Sequence, residues 1–117
     1  MKVAAVQTLM GLSPDVTVPA AEAAMETAMQ GEERPDFLIL PEYFSYYGID
    51  QKRSVELAQP LRETPAFRMA QAFAERHKVG IQAGTILARV PGDERVENVS
   101  VVFDRQGEGI AEYRQVH

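Results

Sequence analysis

Phe37-Leu38-Ile39-Leu40-Pro41-Glu42 is the stretch that decides how this chain is read. Four consecutive apolar residues leave no solvent side, so the run reads as a strand buried on both faces. Pro41 has no N–H to give to a ladder and marks the strand's end. Glu42 then stands at the carboxyl end of a buried strand, where open α/β sheets hold their ligands. A carboxylate beside so much apolar surface loses solvation; its pKa rises and it becomes suited to general-base work. The residues alone leave a second role open, in which Glu42 caps the next turn or meets solvent.

Toward the amino terminus, Val3 to Val6 reads as another strand buried on both sides, followed by a loop holding Gly11, Ser13 and Pro14. Pro19 suits the first position of a helix, where its missing N–H costs nothing. Ala21, Ala24, Met25 and Ala28 follow at helical spacing, and Gly31 is a plausible stop. Such a stripe is the core-facing side of an amphipathic helix rather than anything chemical.

Toward the carboxyl terminus comes a mixed segment from Tyr43 to Glu63 whose start is crowded by Tyr43, Phe44, Tyr46 and Tyr47. Connections this long are often functional or hold a short helix, for which Gln51 to Gln59 is the candidate. Directly after Glu42, the aromatics either wall a substrate pocket or simply pack the segment onto the body; both readings stand. Thr64 is a natural N-cap, Pro65 fits the first helical position, and Arg76, His77 and Lys78 fall in the last turn, where cations meet the negative end of the dipole. Phe67, Ala70, Phe73, Ala74 and His77 share a face, so His77 reads as a helix-end partner and not as a catalyst. Val79 to Ala88 is a strand with small residues Gly80, Ala83 and Gly84; Asn98 to Phe103 is another, rich in β-branched residues. Asp104 to Gly107 is a turn, and Ile110 to Val116 is the return arm of a hairpin. The order β-α-β-α-β-β-β predicts an α/β protein.

The bulk composition sets bounds. At 117 residues, 45% hydrophobic and 25% charged, the chain is one soluble globular domain or part of one. No apolar stretch is long enough to span a membrane, and Met1 to Gln7 is too short for a signal-peptide core, which gives a cytoplasmic expectation. A net charge of −5 argues against a nucleic-acid partner, and local pairs such as Lys52-Arg53 read as solvated surface. With no cysteine and only His77 and His117 as imidazoles, a thiolate nucleophile and a histidine-rich metal site are excluded within these residues. No glycine-rich phosphate loop is present; Gly107 and Gly109 belong to a turn. Two helices can shield only one face of four or five strands, yet the strands read as buried on both. The second face needs a cover from elsewhere, and the chain stops at or within a strand, so a fragment of a larger domain is expected.

Taken together, these segments resemble the amino-terminal part of the nitrilase superfamily, the carbon–nitrogen hydrolases. Lys2 to Gln7 resembles the family's first strand, and Leu38-Ile39-Leu40-Pro41-Glu42-Tyr43-Phe44 the segment that carries its catalytic glutamate. Gly84-Thr85-Ile86 and Glu97 to Asp104 with Gly107 are similar to its middle strands and hairpin, and Tyr113-Arg114-Gln115-Val116-His117 to the segment bearing its catalytic lysine. Five motifs in order span nearly all of the chain but less than half of a family domain. The resemblance implies an α-β-β-α sandwich, so that residues 1–117 form the amino-terminal part of one such domain, ending before the catalytic cysteine. It implies a Glu-Lys-Cys mechanism on a small amide, carbamoyl or nitrile substrate, with Glu42 as general base, no cofactor or metal, and homo-oligomers at full length. The lysine position holds Gln115, which brings no positive charge. Without a cysteine or that lysine, the 117-residue chain is expected to be inactive alone. Gln115 also supports an alternative, a non-catalytic relative kept for binding or assembly. Tyr43, Phe44 and Tyr47 are the substrate-binding candidates.

Overall fold

The computed structural model describes residues 1–6, 14–40, 59–90, 92 and 96–116, with the backbone alone described at 14–17, 85, 115 and 116. The elements are β1 (Val3–Ala5), α1 (Pro14–Met29), β2 (Phe37–Ile39), a single 3₁₀ turn (Leu61–Glu63), α2 (Pro65–His77), β3 (Gly80–Arg89), β4 (Val96–Phe103) and β5 (Gly109–Val116). This is the β-α-β-α-β-β-β order expected from the sequence. The five strands form one sheet in chain order, with β1, β2 and β3 parallel and β4 and β5 added as antiparallel neighbours. Because β5 reverses β4, the carboxyl ends of β1, β2, β3 and β5 all lie along one edge.

α2 forms where its punctuation placed it. Thr64 Oγ1 accepts from the Phe67 N–H at 3.2 Å, and Lys78 closes the helix in the left-handed region at φ 54. α1 departs from its expected start. It begins at Pro14, and Pro19 lies inside it, where its missing N–H forfeits the bond to the Asp15 carbonyl. Burial explains why the helix extends backward: Val18, Ala21 and Met25 are all buried, so the apolar stripe begins before Pro19.

α1 and α2 touch each other and cover one side of the sheet. His77 Nε2 lies 3.1 Å from Glu26 Oε1, Arg76 reaches the same carboxylate at 2.8 Å, and the His77 ring stacks on Phe73. His77 is thus a helix-end partner, joined to the neighbouring helix. Beneath the helices, Leu38, Ile81, Ala83, Ile86, Val99, Val101 and Phe103 are fully buried, and Phe67 meets Phe103 edge-on at 5.0 Å.

The expectation of strands buried on both faces is corrected. Phe37 and Ile39 are only half-buried, Val3 is 51% exposed, and Tyr113 is 70% exposed. Both helices fall on the same side, so the other face has no cover among the described residues. On that open face the Phe37 ring lies close to Gly80, where an added Cβ would stand 2.6 Å from a ring carbon. Gly107, at φ 81, lets the β4–β5 turn dock on α2, where Gln71 Nε2 donates to its carbonyl at 3.0 Å.

Candidate functional site

Strand lengths shape the edge where β2 ends. Ile39 pairs with Gln82, and the Leu40 N–H donates to the Gln82 carbonyl at 2.9 Å. β3 then continues from Ala83 to Arg89, roughly 20 Å further at the usual strand rise. Just past this step the register of β3 against β4 shifts. Ala83 pairs with Val101 and Ile86 with Val99, so Gly84 and Thr85 together oppose Ser100 as a bulge. Bulges of this kind bend a strand and re-aim its side chains, and they recur beside active sites.

The chain returns to this edge at Gln59, whose carbonyl accepts from the Arg89 N–H at 2.8 Å. Residues 41–58 therefore leave from the end of β2 and come back at the far end of β3. Glu42, Tyr43, Phe44 and Tyr47 lie outside the described residues, as do the Gln51–Ala58 part of the expected short helix and His117. Gln115 sits in β5 with its backbone paired to Asn98, which pairs in turn with Leu87. The Leu40 exit and residue 115 thus both lie toward the edge that collects the carboxyl ends of β2, β3 and β5.

Arg114, next to Gln115, takes part in a charged cluster that sequence reading did not find. Its register partner is the fully buried Val99, which places Arg114 on the helix side. There its guanidinium donates through Nη1 to Oε1 of Glu97, a carboxylate only 3% exposed, and through Nη2 to Glu112 Oε2 at 2.9 Å. Arg62, from the 3₁₀ turn, donates to Glu112 Oε1 at 2.9 Å and lies over the Phe67 ring. The hydrogen bond from Arg114, with its charge and that of Arg62, holds the Glu112 carboxyl below its ordinary pKa. Hydrogen bonding to Glu112, with the charges of Glu97 and Glu112, pushes Arg114 further up. A signal for this cluster was present. The two-residue alternation that points Val99, Val101 and Phe103 inward carries back to Glu97, and Glu112 and Arg114 share a face for the same reason.

Among the described residues no group of three or more His, Asp or Glu side chains is arranged to hold a metal ion. No helix among them is long and apolar enough to cross a membrane.

The carbon–nitrogen hydrolase family profile matches residues 2–117. The omega-amidase NIT3 of Saccharomyces cerevisiae is 33% identical over 121 residues, covering all of this chain and 41% of the relative. The crystal structure of Saccharomyces cerevisiae Nit3, a member of branch 10 of the nitrilase superfamily, superposes with a TM-score of 0.84 over all of this chain and 44% of its own. On that superposition 23% of positions are identical. An N-terminal amidase structure superposes with a TM-score of 0.83 at 19% identity, over 98% of this chain and 28% of its own. The C. elegans NitFhit protein gives 0.83 at 22%, over 98% and 27%. The chain spans about two-fifths of the length of the curated relative it matches. A family match over almost every residue, with the same backbone beneath it, means that this chain belongs to the carbon–nitrogen hydrolases and corresponds to their amino-terminal portion.

Proposed function

We propose that residues 1–117 are the amino-terminal part of a hydrolase domain that cleaves the C–N bond of a small amide, with Glu42 as the general base. The observation that carries this reading is the edge geometry. β2 hands the chain on beside the β3 bulge, at the edge toward which β5 carries residue 115. An amide is favoured over a nitrile because the sequence relative is named an omega-amidase.

In this reading a thiol from outside residues 1–117 attacks the amide carbon, since this sequence holds no cysteine. Glu42 takes the thiol proton and later passes it to the departing amine; water then releases the acyl group. Three strand spacings separate β2 from β5, roughly 14 Å, so a substrate that meets both Glu42 and residue 115 has to bridge that span. The rest of the domain packs its second sheet on the open face and completes an α-β-β-α sandwich. The deciding experiment is Glu42→Gln in the full-length protein. A fall in kcat of about a hundred-fold or more is expected; unchanged turnover removes Glu42 from the mechanism.

One observation favours the non-catalytic alternative. Gln115 brings no cation, and its neighbour Arg114 does not replace the missing charge, because it faces the helix side and is already paired with Glu97 and Glu112. Gln115→Lys separates the two readings. A protein that gains about a hundred-fold in amide turnover has the rest of the machinery in place. A protein that stays silent with Lys at 115 is a binding or assembly relative.

A further inference from the structure

We infer that Arg114 is a positioning residue that fixes the carboxyl end of β5, and with it the backbone placement of residue 115. The inference rests on the functional reading above for its purpose and on the charged cluster for its mechanism. β5 is the last strand of the sheet, so among the described strands only β4 holds it. Edge strands held from one side fray first at their ends. The β5 end lies within two residues of Arg114, and a side-chain clamp grips it there.

The clamp has a firm end and a soft end. At the firm end the Glu97 side chain is buried, and burying a carboxylate is costly unless a cation and hydrogen-bond donors meet it. The planar fork of Arg114 supplies both, spanning Glu97 on β4 and Glu112 on β5, a bidentate role that a lysine ammonium does not reproduce. At the soft end Glu112 is shared with Arg62, whose side chain is 68% exposed, so this link is the weaker one. Arg62 belongs to the turn just after Gln59, where the chain returns from residues 41–58. The four side chains thus tie together the strand that carries residue 115 and the return of the segment that contains Glu42.

The test uses the full-length protein. Arg114→Met alone leaves Glu97 buried without a cation and risks misfolding. The informative variants are therefore Glu97→Leu combined with Arg114→Leu, which removes the buried carboxylate together with its cation, and Arg114→Lys, which keeps the charge and loses the fork. Two readouts are taken: amide hydrogen exchange in residues 109–116 against residues 80–89, and kcat and KM on a simple primary amide. The expected result for the double variant is an unfolding midpoint near that of the parent, with exchange in 112–116 faster by about ten-fold and exchange in 80–89 unchanged. Where the protein turns over the amide, kcat falls by about ten-fold or more with KM within about two-fold, and Arg114→Lys falls between parent and double variant. Unchanged exchange at 112–116 in either variant, or acceleration spread evenly over the sheet, overturns the inference. A full-length protein that turns over no amide with either Gln or Lys at 115 sinks the functional reading, while the exchange result still decides this one.

Discussion

Val102 and Phe103 are neighbours in β4, yet they belong to two different surfaces. Phe103 points to the helices, is fully buried, and meets Phe67 edge-on. Val102 points the other way and is half-buried, on a face shared with Val3, Phe37, Ile39 and Tyr113. The sheet therefore has one side whose cover lies within these residues and another, with apolar side chains beside Gln82, Asn98 and Ser100, that has none among the described residues. Apolar side chains on both faces of a strand state a requirement for burial. They do not say that the same stretch of chain meets it.

The largest expected effect lies on the finished side. Phe103→Ala in the full-length protein removes a fully buried ring and is expected to cost about 3–5 kcal/mol in urea unfolding, because the helices above it cannot collapse into the space. On the other side, Val102→Asp should separate the two settings. In residues 1–117 the new carboxylate meets water and raises the soluble fraction. In the full-length protein it is buried under the second sheet and costs about 2–3 kcal/mol. Equal behaviour in both settings would erase the distinction between the faces. Gly107→Ala strains a left-handed turn and sets a Cβ 2.9 Å from the Gln71 carbonyl oxygen. A loss of about 1–2 kcal/mol is expected, with the hairpin lifting from α2.

The smallest effect is a pH dependence. Arg114 and Arg62 hold the Glu112 carboxyl below its ordinary value of 4.5 in the folded state. The unfolded chain thus takes up a proton first as the pH falls. The contribution is fully present above about 4.5 and is lost as the pH drops through the lower folded value. Because Glu112 is partly exposed, screening limits it to a few tenths of a kcal/mol. Glu112→Gln should flatten this part of the acid unfolding curve below pH 4.5; an unaltered curve would remove the cluster from the acid response.

How much of this was legible in the sequence depended on what each signal needs. α2 was readable from end to end because Thr64, Pro65 and the basic last turn act locally, through caps and dipole. The start of α1 was misread because a proline's fixed φ fits the first position and the interior alike. Val18, at helical spacing from Ala21 and Met25, carried the information that settles it. The strands and the hairpin were legible from their apolar runs and turn residues. That one face would need cover from elsewhere was legible from the count of two helices; which face stays open was not, since it depends on both crossover helices falling on the same side. The cluster of Glu97, Arg114, Glu112 and Arg62 needed the β4–β5 register and the position of the 3₁₀ turn, neither of which is local. Of the candidate site, the motifs and their order were legible through the family resemblance. The structure adds the edge along which β2 and β5 end, and the residues around Glu42 lie outside its described part.

The most direct test concerns the open face. Residues 1–117 are to be produced alone and melted, with near-UV circular dichroism and an apolar-surface dye followed together and the mass checked by sedimentation. A sheet whose second side needs the rest of a hydrolase domain gives a broad transition with strong dye binding, or a self-associated product. A sharp, cooperative melt of a monomer that binds no dye would contradict it.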